Sequence, residues 1–311
     1  VGEVFTSAFF SALVAGGVTA GLPLLLAALG ETISERAGVL NIGLEGMMIA
    51  GAYAGFVVAL GTGSPWLGLA AGLGAGLVLS AAVALLCVRL GLDQIVIGIA
   101  LLVSMEGVTS VLHRARFGTT YPRLESMPSV EIPLLSRIPV VGDGLFAQPL
   151  PAYLAVGLLL AAAWVLRSTN IGLEWKAAGE SPHTLDVAGV GVVRTRTAAA
   201  LFAGAFGGLG GAYLSIVGAG IFVPFMTNGA GFIAIVLAMI ARGRPLWVLI
   251  GSAAFGMTVS LATALQLVGV VIPIDVVNML PFLAVLIVLV LFTRRVYLPA
   301  ALGVPYERGS R

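Results

Sequence analysis

Two carboxylates stand where a carboxylate is costly. Glu45 lies in GVLNIGLEGMMIAG, and Glu106 sits midway along the apolar run 95–113. A charged side chain at the centre of a bilayer costs roughly 2.5–3.5 kcal/mol on insertion scales, so each needs a physical reason. Asn41 and Glu45 are one helical turn apart and share a face if the segment is helical. Either Asn41 caps the apolar run that follows, with Glu45 at the positive end of its dipole, or residues 38–46 break the helix. In the second case both side chains point into a pathway. Glu106, Thr109, Ser110 and His113 fall on one helical face. Such a stripe lines either a water-filled path or a network of hydrogen bonds between helices.

A second interrupted stretch, GAGIFVPFMTNGAG at 218–231, precedes a short apolar run. Paired broken segments in the two halves of a transporter point to a binding site near mid-membrane. Non-helical backbone at that depth is tolerated only when it is buried in protein or faces water. Phe222, Phe225 and Asn228 then offer aromatic faces and one amide to an uncharged polar ligand; otherwise the stretch is an outer loop packed by its two phenylalanines. Other chemistry is missing from the sequence. It has no glycine-rich loop ending in Lys-Ser/Thr for nucleotide phosphates, and its two histidines and single Cys87 are scattered. Catalytic residues, a metal site and a cofactor are therefore not expected, and the chain does not hydrolyse ATP alone.

The elements that must hold these residues are membrane spans. Hydrophobic residues make up 59% of the 311, and charged residues only 10%, against about 25% in soluble domains. Such a chain cannot cover itself with polar surface. A hydrocarbon core about 30 Å thick needs about 20 apolar residues per helix. By that measure the spans are 7–30, 38–60, 65–88, 95–113, 150–166, 197–217, 229–241, 246–270 and 276–292. The expectation is an all-α, polytopic protein of about nine (eight to ten) helices, forming one transmembrane domain over 1–311. With 167–196 placed in the cytoplasm, twelve of the 16 Lys and Arg fall inside and four, all in the loop 114–149, outside. Nothing in that charge pattern points to nucleic acid. Glycines every four residues (Gly68, Gly72 and Gly76; Gly51 and Gly55; Gly204 and Gly208; Gly207 and Gly211) predict faces for close helix packing within the chain. The loop 114–149, rich in Pro and Gly, is either a lid-like piece on the membrane surface or a plain connector.

Between two apolar runs lies a mixed polar stretch, 167–196, longer than a turn requires. Gly179 and Pro182 are expected to break a helix on either side of Glu180, and Gly189 to end a second short helix that starts near Ser181. A short helix parallel to the membrane can seat in a cleft of a soluble motor and be pushed.

At residues 35–55, ERAGVLNIGLEGMMIAGAYAG, the chain resembles permease subunits of ABC importers for nucleosides and simple sugars, relatives of the ribose and branched-chain amino acid permeases. IPLLSRIPVVGDGLFAQPL resembles that group's outer loop, AAGESPHTLDVAGVGVVRTR its cytoplasmic coupling segment, and GAGFIAIVLAMIARGRPLWVLIGSAAFG its late spans. MIARGRP departs from the less basic turn common among such proteins. The resemblance implies a homo- or heterodimer of permeases, cytoplasmic ATP-binding subunits, an extracytoplasmic substrate-binding protein, and a multi-pass place in a bacterial plasma (inner) membrane, in contact with membrane lipid. It assigns the coupling role to Ala177, Ala178, Gly179, Glu180, Pro182, Ala188 and Gly189, within a coupling segment of about 168–194. A nucleoside or simple sugar is the expected cargo, because the pathway offers amides, hydroxyls and aromatics. The rivals are a branched-chain amino acid permease, a proton-coupled carrier using Glu45 and Glu106, and a structural or receptor-like membrane protein.

Overall fold

A computed structural model describes residues 7–133, 135–136, 138, 142–267, 279–280, 282–287, 290 and 298–307. Almost everything regular in it is helix. Among the described residues six helices are long and apolar enough to cross a membrane: Phe9–Arg36, Leu44–Thr62, Pro65–Arg89, Gln94–Phe117, Leu150–Ser168 and Val192–Gly218. They correspond to the first six expected spans. Shorter apolar helices stand at the seventh and eighth, while much of the ninth, 276–292, lies outside the described residues.

Helix α1 (Ser7–Arg36) runs through the middle of the bundle and carries Pro23 in its interior. Its 30 residues rise about 45 Å, well beyond the hydrocarbon core. The 20-residue ruler therefore cut this span short at Gly30: the helix continues through Glu31 and Glu35. Residues 37–43 then leave helical geometry, and α2 begins only at Leu44 and runs to Thr62. Its N-cap residue is Gly43, with no side-chain cap, so Asn41 does not cap this span. The break expected at 38–46 is a break at 37–43.

Helix α3 (Pro65–Val83) starts from Ser64, whose hydroxyl accepts the Leu67 amide, and its last turns widen to π geometry over Ala84–Arg89. Helix α4 (Gln94–Phe117) starts from Asp93, whose carboxylate accepts the amides of Ile95 and Val96. The outer loop holds a two-stranded antiparallel ribbon, β1 (Ser129–Glu131) with β2 (Ala147–Pro149), and a short helix α5 (Gly142–Phe146) that packs on α1. Then follow α6 (Leu150–Ser168), α7 (Asn170–Glu180), α8 (Pro182–Val187), α9 (Val192–Tyr213), α10 (Ala230–Ala241) and α11 (Pro245–Leu267).

Helix α1 packs on α9, α10 and α11, and α2, α3 and α9 pack on one another. The glycine spacing explains the second group. A Cβ on Gly51 would overlap Gly208, one on Gly76 would overlap Gly204, and one on Gly211 would overlap Met48. Backbones approach this closely only where side chains are absent. The small-residue faces thus serve packing within the chain, as expected. Helix α4 instead leaves Val96, Val103 and Val111 exposed, and α6 leaves Leu160 and Trp164 exposed. Those faces are apolar and suit lipid or a second subunit.

Candidate translocation and coupling sites

The two interrupted stretches meet. Beyond α9 the chain passes a π turn (Leu214–Gly218) and leaves helical geometry until Gly229. Gly229 takes φ 82 and starts α10. Its amide donates to Glu45 Oε1 at 2.8 Å, and the Gly231 amide donates to Glu45 Oε2. One carboxylate from the first turn of α2 therefore satisfies two of the orphan donors at the head of α10 and faces the positive end of its dipole. Gly231 has no alternative, because a Cβ there would overlap the Glu45 backbone. Glu45 is thus tied to the dipole of α10, a helix far away in sequence, in addition to lying in the first turn of α2.

Depth follows from the same helix. At its far end Arg242 takes a left-handed turn, and Arg36 Nη1 donates to the Gly243 carbonyl at 3.2 Å. That end gathers arginines and is the inner end by charge. The 12 residues of α10 rise only about 18 Å of a core about 30 Å thick. The junction of Glu45 with Gly229 and Gly231 thus stands about 18 Å or less along α10 from that arginine-rich end.

Asn41 is 2% exposed; its backbone amide donates to Glu31 Oε1 at 3.0 Å and its Nδ2 to the Met47 sulfur at 3.3 Å. Its Oδ1, like Glu31 Oε2 and Glu35 Oε1, has no partner among the described residues. Gln94 Oε1 accepts the Leu40 amide at 2.8 Å, which satisfies one donor of the broken stretch from α4. Phe222 is wholly buried, packed between Tyr53, Phe56 and His113, so its faces are taken by the protein itself. Phe225 and Asn228 are exposed and hold φ values of 63 and 43. A left-handed phenylalanine costs about 1–2 kcal/mol.

Glu106 is half-buried on α4 and is not brought to Glu45; its carboxylate has no hydrogen-bond partner among the described residues. The stripe it heads makes no interhelical network there. Thr109 Oγ1 donates back to Met105 O at 2.7 Å, and His113 stacks on Phe117, Tyr121 and Phe222 with neither ring nitrogen bonded. Two apolar cavities, one lined by Gly17, Gly21 and Met257 and one by Leu69, Leu73 and Tyr213, lie elsewhere and include neither Asn41 nor Glu45.

The polar stretch between α6 and α9 folds as two short helices. Thr169 caps α7 through its hydroxyl, and Trp175, 4% exposed, anchors α7 edge-on against Phe202. α7 ends at Glu180 and Pro182 opens α8, as the punctuation predicts. Gly189, at φ 85, closes α8: its amide donates to Asp186 O and that of Val190 to Leu185 O, the paired bonds of a Schellman turn. Gly179 differs from expectation. It lies within α7 rather than breaking it, and it is small because a Cβ would overlap the Arg36 carbonyl. Ala178 is fully buried, whereas Ala188, Gly189 and Val187 are exposed, Val187 at 89%. Ala177 packs against the Ala178–Leu185–Val192 cluster beneath α8.

Residues 13–291 match the family described as the branched-chain amino acid transport system permease component. The chain belongs to that permease family. It is 33% identical to a guanosine ABC transporter permease of Bacillus subtilis, over 97% of this chain and 98% of that protein. A nucleoside ABC transporter permease of Lactococcus lactis is also 33% identical, over 96% and 97% of the two. A protein provisionally assigned as a glucose ABC transporter permease in Haloferax volcanii is 39% identical, over 83% and 78%. No solved structure matches the chain. With six apolar helices of spanning length, the permease is a multi-pass protein of the plasma membrane.

Three features of the permease escaped the sequence reading. Glu31 and Glu35 are buried acids at 0% and 5% exposure, hidden by the early end assigned to the first span. Their spacing of four residues in an otherwise apolar run was the available signal. Arg196, 3% exposed, donates to the carbonyls of Ala178, Ala301 and Val304. It reads locally as one more cytoplasmic cation, and no sequence signal distinguishes it.

Proposed function

We propose that the permease conducts a nucleoside or simple sugar inward, driven by a cytoplasmic ATPase that engages α7 and α8. The observation that carries this reading is the junction of the two broken segments, closed by the Glu45 carboxylate on Gly229 and Gly231. A helix too short to cross the bilayer, held by a side chain from another helix, can open and close as a unit. Glu45 closes the junction and Asn41 stands one turn before it, Asn228 and Phe225 form its approach just ahead of Gly229, and Phe222 lines the route further along α2 beside Tyr53 and Phe56. Glu106, on the face of α4, takes part through a second subunit or through lipid-side packing. The relatives named for guanosine, nucleosides and glucose support an uncharged, hydroxyl-rich cargo over a branched-chain amino acid.

In this reading the exposed tip of α8 (Val187, Ala188 and Gly189), with Pro182 and Glu180, seats on the ATPase, while Ala177, Ala178 and Gly179 pass the push to the bundle. The permease hydrolyses nothing and carries no cofactor. Its partners are the ATP-binding subunits, a second permease copy or homologue, and an extracytoplasmic binding protein.

The test is uptake into proteoliposomes holding the permease, its ATPase and its binding protein. Labelled guanosine or glucose should enter only with ATP inside, and excess leucine should not compete. Uptake driven by a pH gradient without any ATPase would replace this reading with the proton-coupled carrier. Glu180→Gln is the better probe of coupling, since any side chain at position 179 disturbs packing first.

A further inference from the structure

Resting on the coupling role of α7 and α8 set out above, we infer that the C-terminal segment 298–307 is a strap. It binds the coupling elbow to the link between α1 and α2, with Arg196 as the positioning residue at its centre. Three backbone elements converge on this segment. The Ala301 amide donates to the Gly179 carbonyl at 2.9 Å, in the last turn of α7. The Gly303 amide donates to the Gly38 carbonyl at 3.1 Å, in the α1–α2 link. Arg196, in the first turns of α9, donates to Val304 O at 2.6 Å, Ala301 O at 3.2 Å and Ala178 O at 3.1 Å. The Tyr306 ring lies 5.3 Å from that of His183 on α8 and packs on the Ala178–Leu185–Val192 cluster.

Gly38 marks the crossing point. It holds φ 86, and a Cβ there would come within 2.9 Å of Arg196 Nη2, 3.1 Å of Ala301 O and 3.2 Å of the Gly179 Cα. A guanidinium at the carbonyl end of α7 is favourably placed on that helix's dipole. Because it is buried, losing it strands the Ala178 and Val304 carbonyls, while that of Ala301 keeps the Val304 amide.

The mechanical consequence lies in the kind of contact. Gly179 already touches Arg36 by packing, which can push but cannot pull, and Glu180 attracts Arg36 electrostatically without the directional hold of a hydrogen-bonded backbone. An engine that cycles must also draw the ends of α1 and α2 back. Hydrogen bonds through the strap resist separation, so the elbow and the link move together in both directions. Gly38 is three residues from Asn41, whose amide is held by Glu31 and which stands four residues before Glu45. The strap thereby connects the motor side to the link that leads into the Glu45 closure.

The experiment compares broken and locked straps in the full reconstituted transporter. Ala301→Pro removes the amide donated to Gly179 and lies outside every described span, while Gly303, at φ 75, is left unchanged because proline cannot take that φ. His183→Cys with Tyr306→Cys, bridged by a short bifunctional thiol reagent, ties the segment to α8. A third readout is cross-linking of Val187→Cys to the ATPase. The broken strap should still cross-link and hydrolyse ATP, while uptake per ATP falls about tenfold, the equivalent of about 1.4 kcal/mol or one to two hydrogen bonds. The locked strap should transport normally. An unchanged uptake per ATP in the broken strap, or arrest in the locked one, overturns the strap and leaves the coupling role standing. Loss of the cross-link only in the broken strap overturns it in favour of a docking element. Absence of the cross-link in the parent protein removes the coupling role and the strap together.

Discussion

Glu45→Gln is the perturbation with the most to say, because one carboxylate serves two amides, one buried and one half-buried. Its Oε1 takes the Gly229 amide at 2.8 Å and its Oε2 the Gly231 amide. Glutamine keeps one acceptor oxygen and turns an NH2 group toward the other amide. One donor is then orphaned, at about 1–3 kcal/mol, and the interaction of a negative charge with the head of α10 is lost, at about 0.3–1 kcal/mol or more when partly buried. Relief from burying a charge returns part of this. A net loss of about 2–3 kcal/mol at the head of α10 remains. At about 1.4 kcal/mol per factor of ten, local opening there becomes roughly 30–150 times more frequent. Hydrogen exchange of the purified protein in nanodiscs, followed by mass spectrometry, reads this directly. Peptides covering residues 229–233 should exchange faster by that factor, while those within α3 and α9 stay unchanged. Glu45→Asp, one methylene shorter, should fall between parent and Gln. Exchange at 229–233 within threefold of the parent in Glu45→Gln would show that the carboxylate does not hold the head of α10, and the closure argument would fail with it.

Other outcomes follow from the packing. Gly211→Ala drives a methyl into the Met48 backbone and should destabilise by about 1–3 kcal/mol, whereas Gly61→Ala, with open space around it, should be neutral or stabilise by about 0.4–1 kcal/mol; thermal unfolding of the two in detergent gives opposite signs. His113→Phe breaks no hydrogen bond among the described residues and keeps the stack on Phe117, Tyr121 and Phe222. Its stability should change by less than about 1.5 kcal/mol and uptake should persist, while loss of uptake in a stable protein would return His113 to the pathway. Gly189→Ala forces a side chain to φ 85 at a cost of about 1–2 kcal/mol, so protease cutting between α8 and α9 should accelerate while membrane insertion stays intact.

What the sequence by itself determined is local. Runs of apolar residues mark membrane helices because lipid offers backbone groups no other partner. Pro182 and Gly189 mark the ends of α8 because one fixes φ and the other alone accepts φ 85 easily. The short seventh helix, the break near Asn41 and the glycine faces were legible for the same reason: each is a property of a few neighbouring residues. Where the first helix ends was not, because a length ruler cannot see that neighbouring elements enclose α1 past Gly30 and bury Glu31 and Glu35 with it. Only the tertiary structure decided who satisfies whom. Glu45 reaches amides 184 and 186 residues away, and Arg196 reaches a carbonyl 108 residues away. A sequence shows which groups must be satisfied in a water-free interior. The chain's path through space decides which distant atoms arrive to do it, since hydrogen bonds form over about 3 Å and carry no trace along the chain.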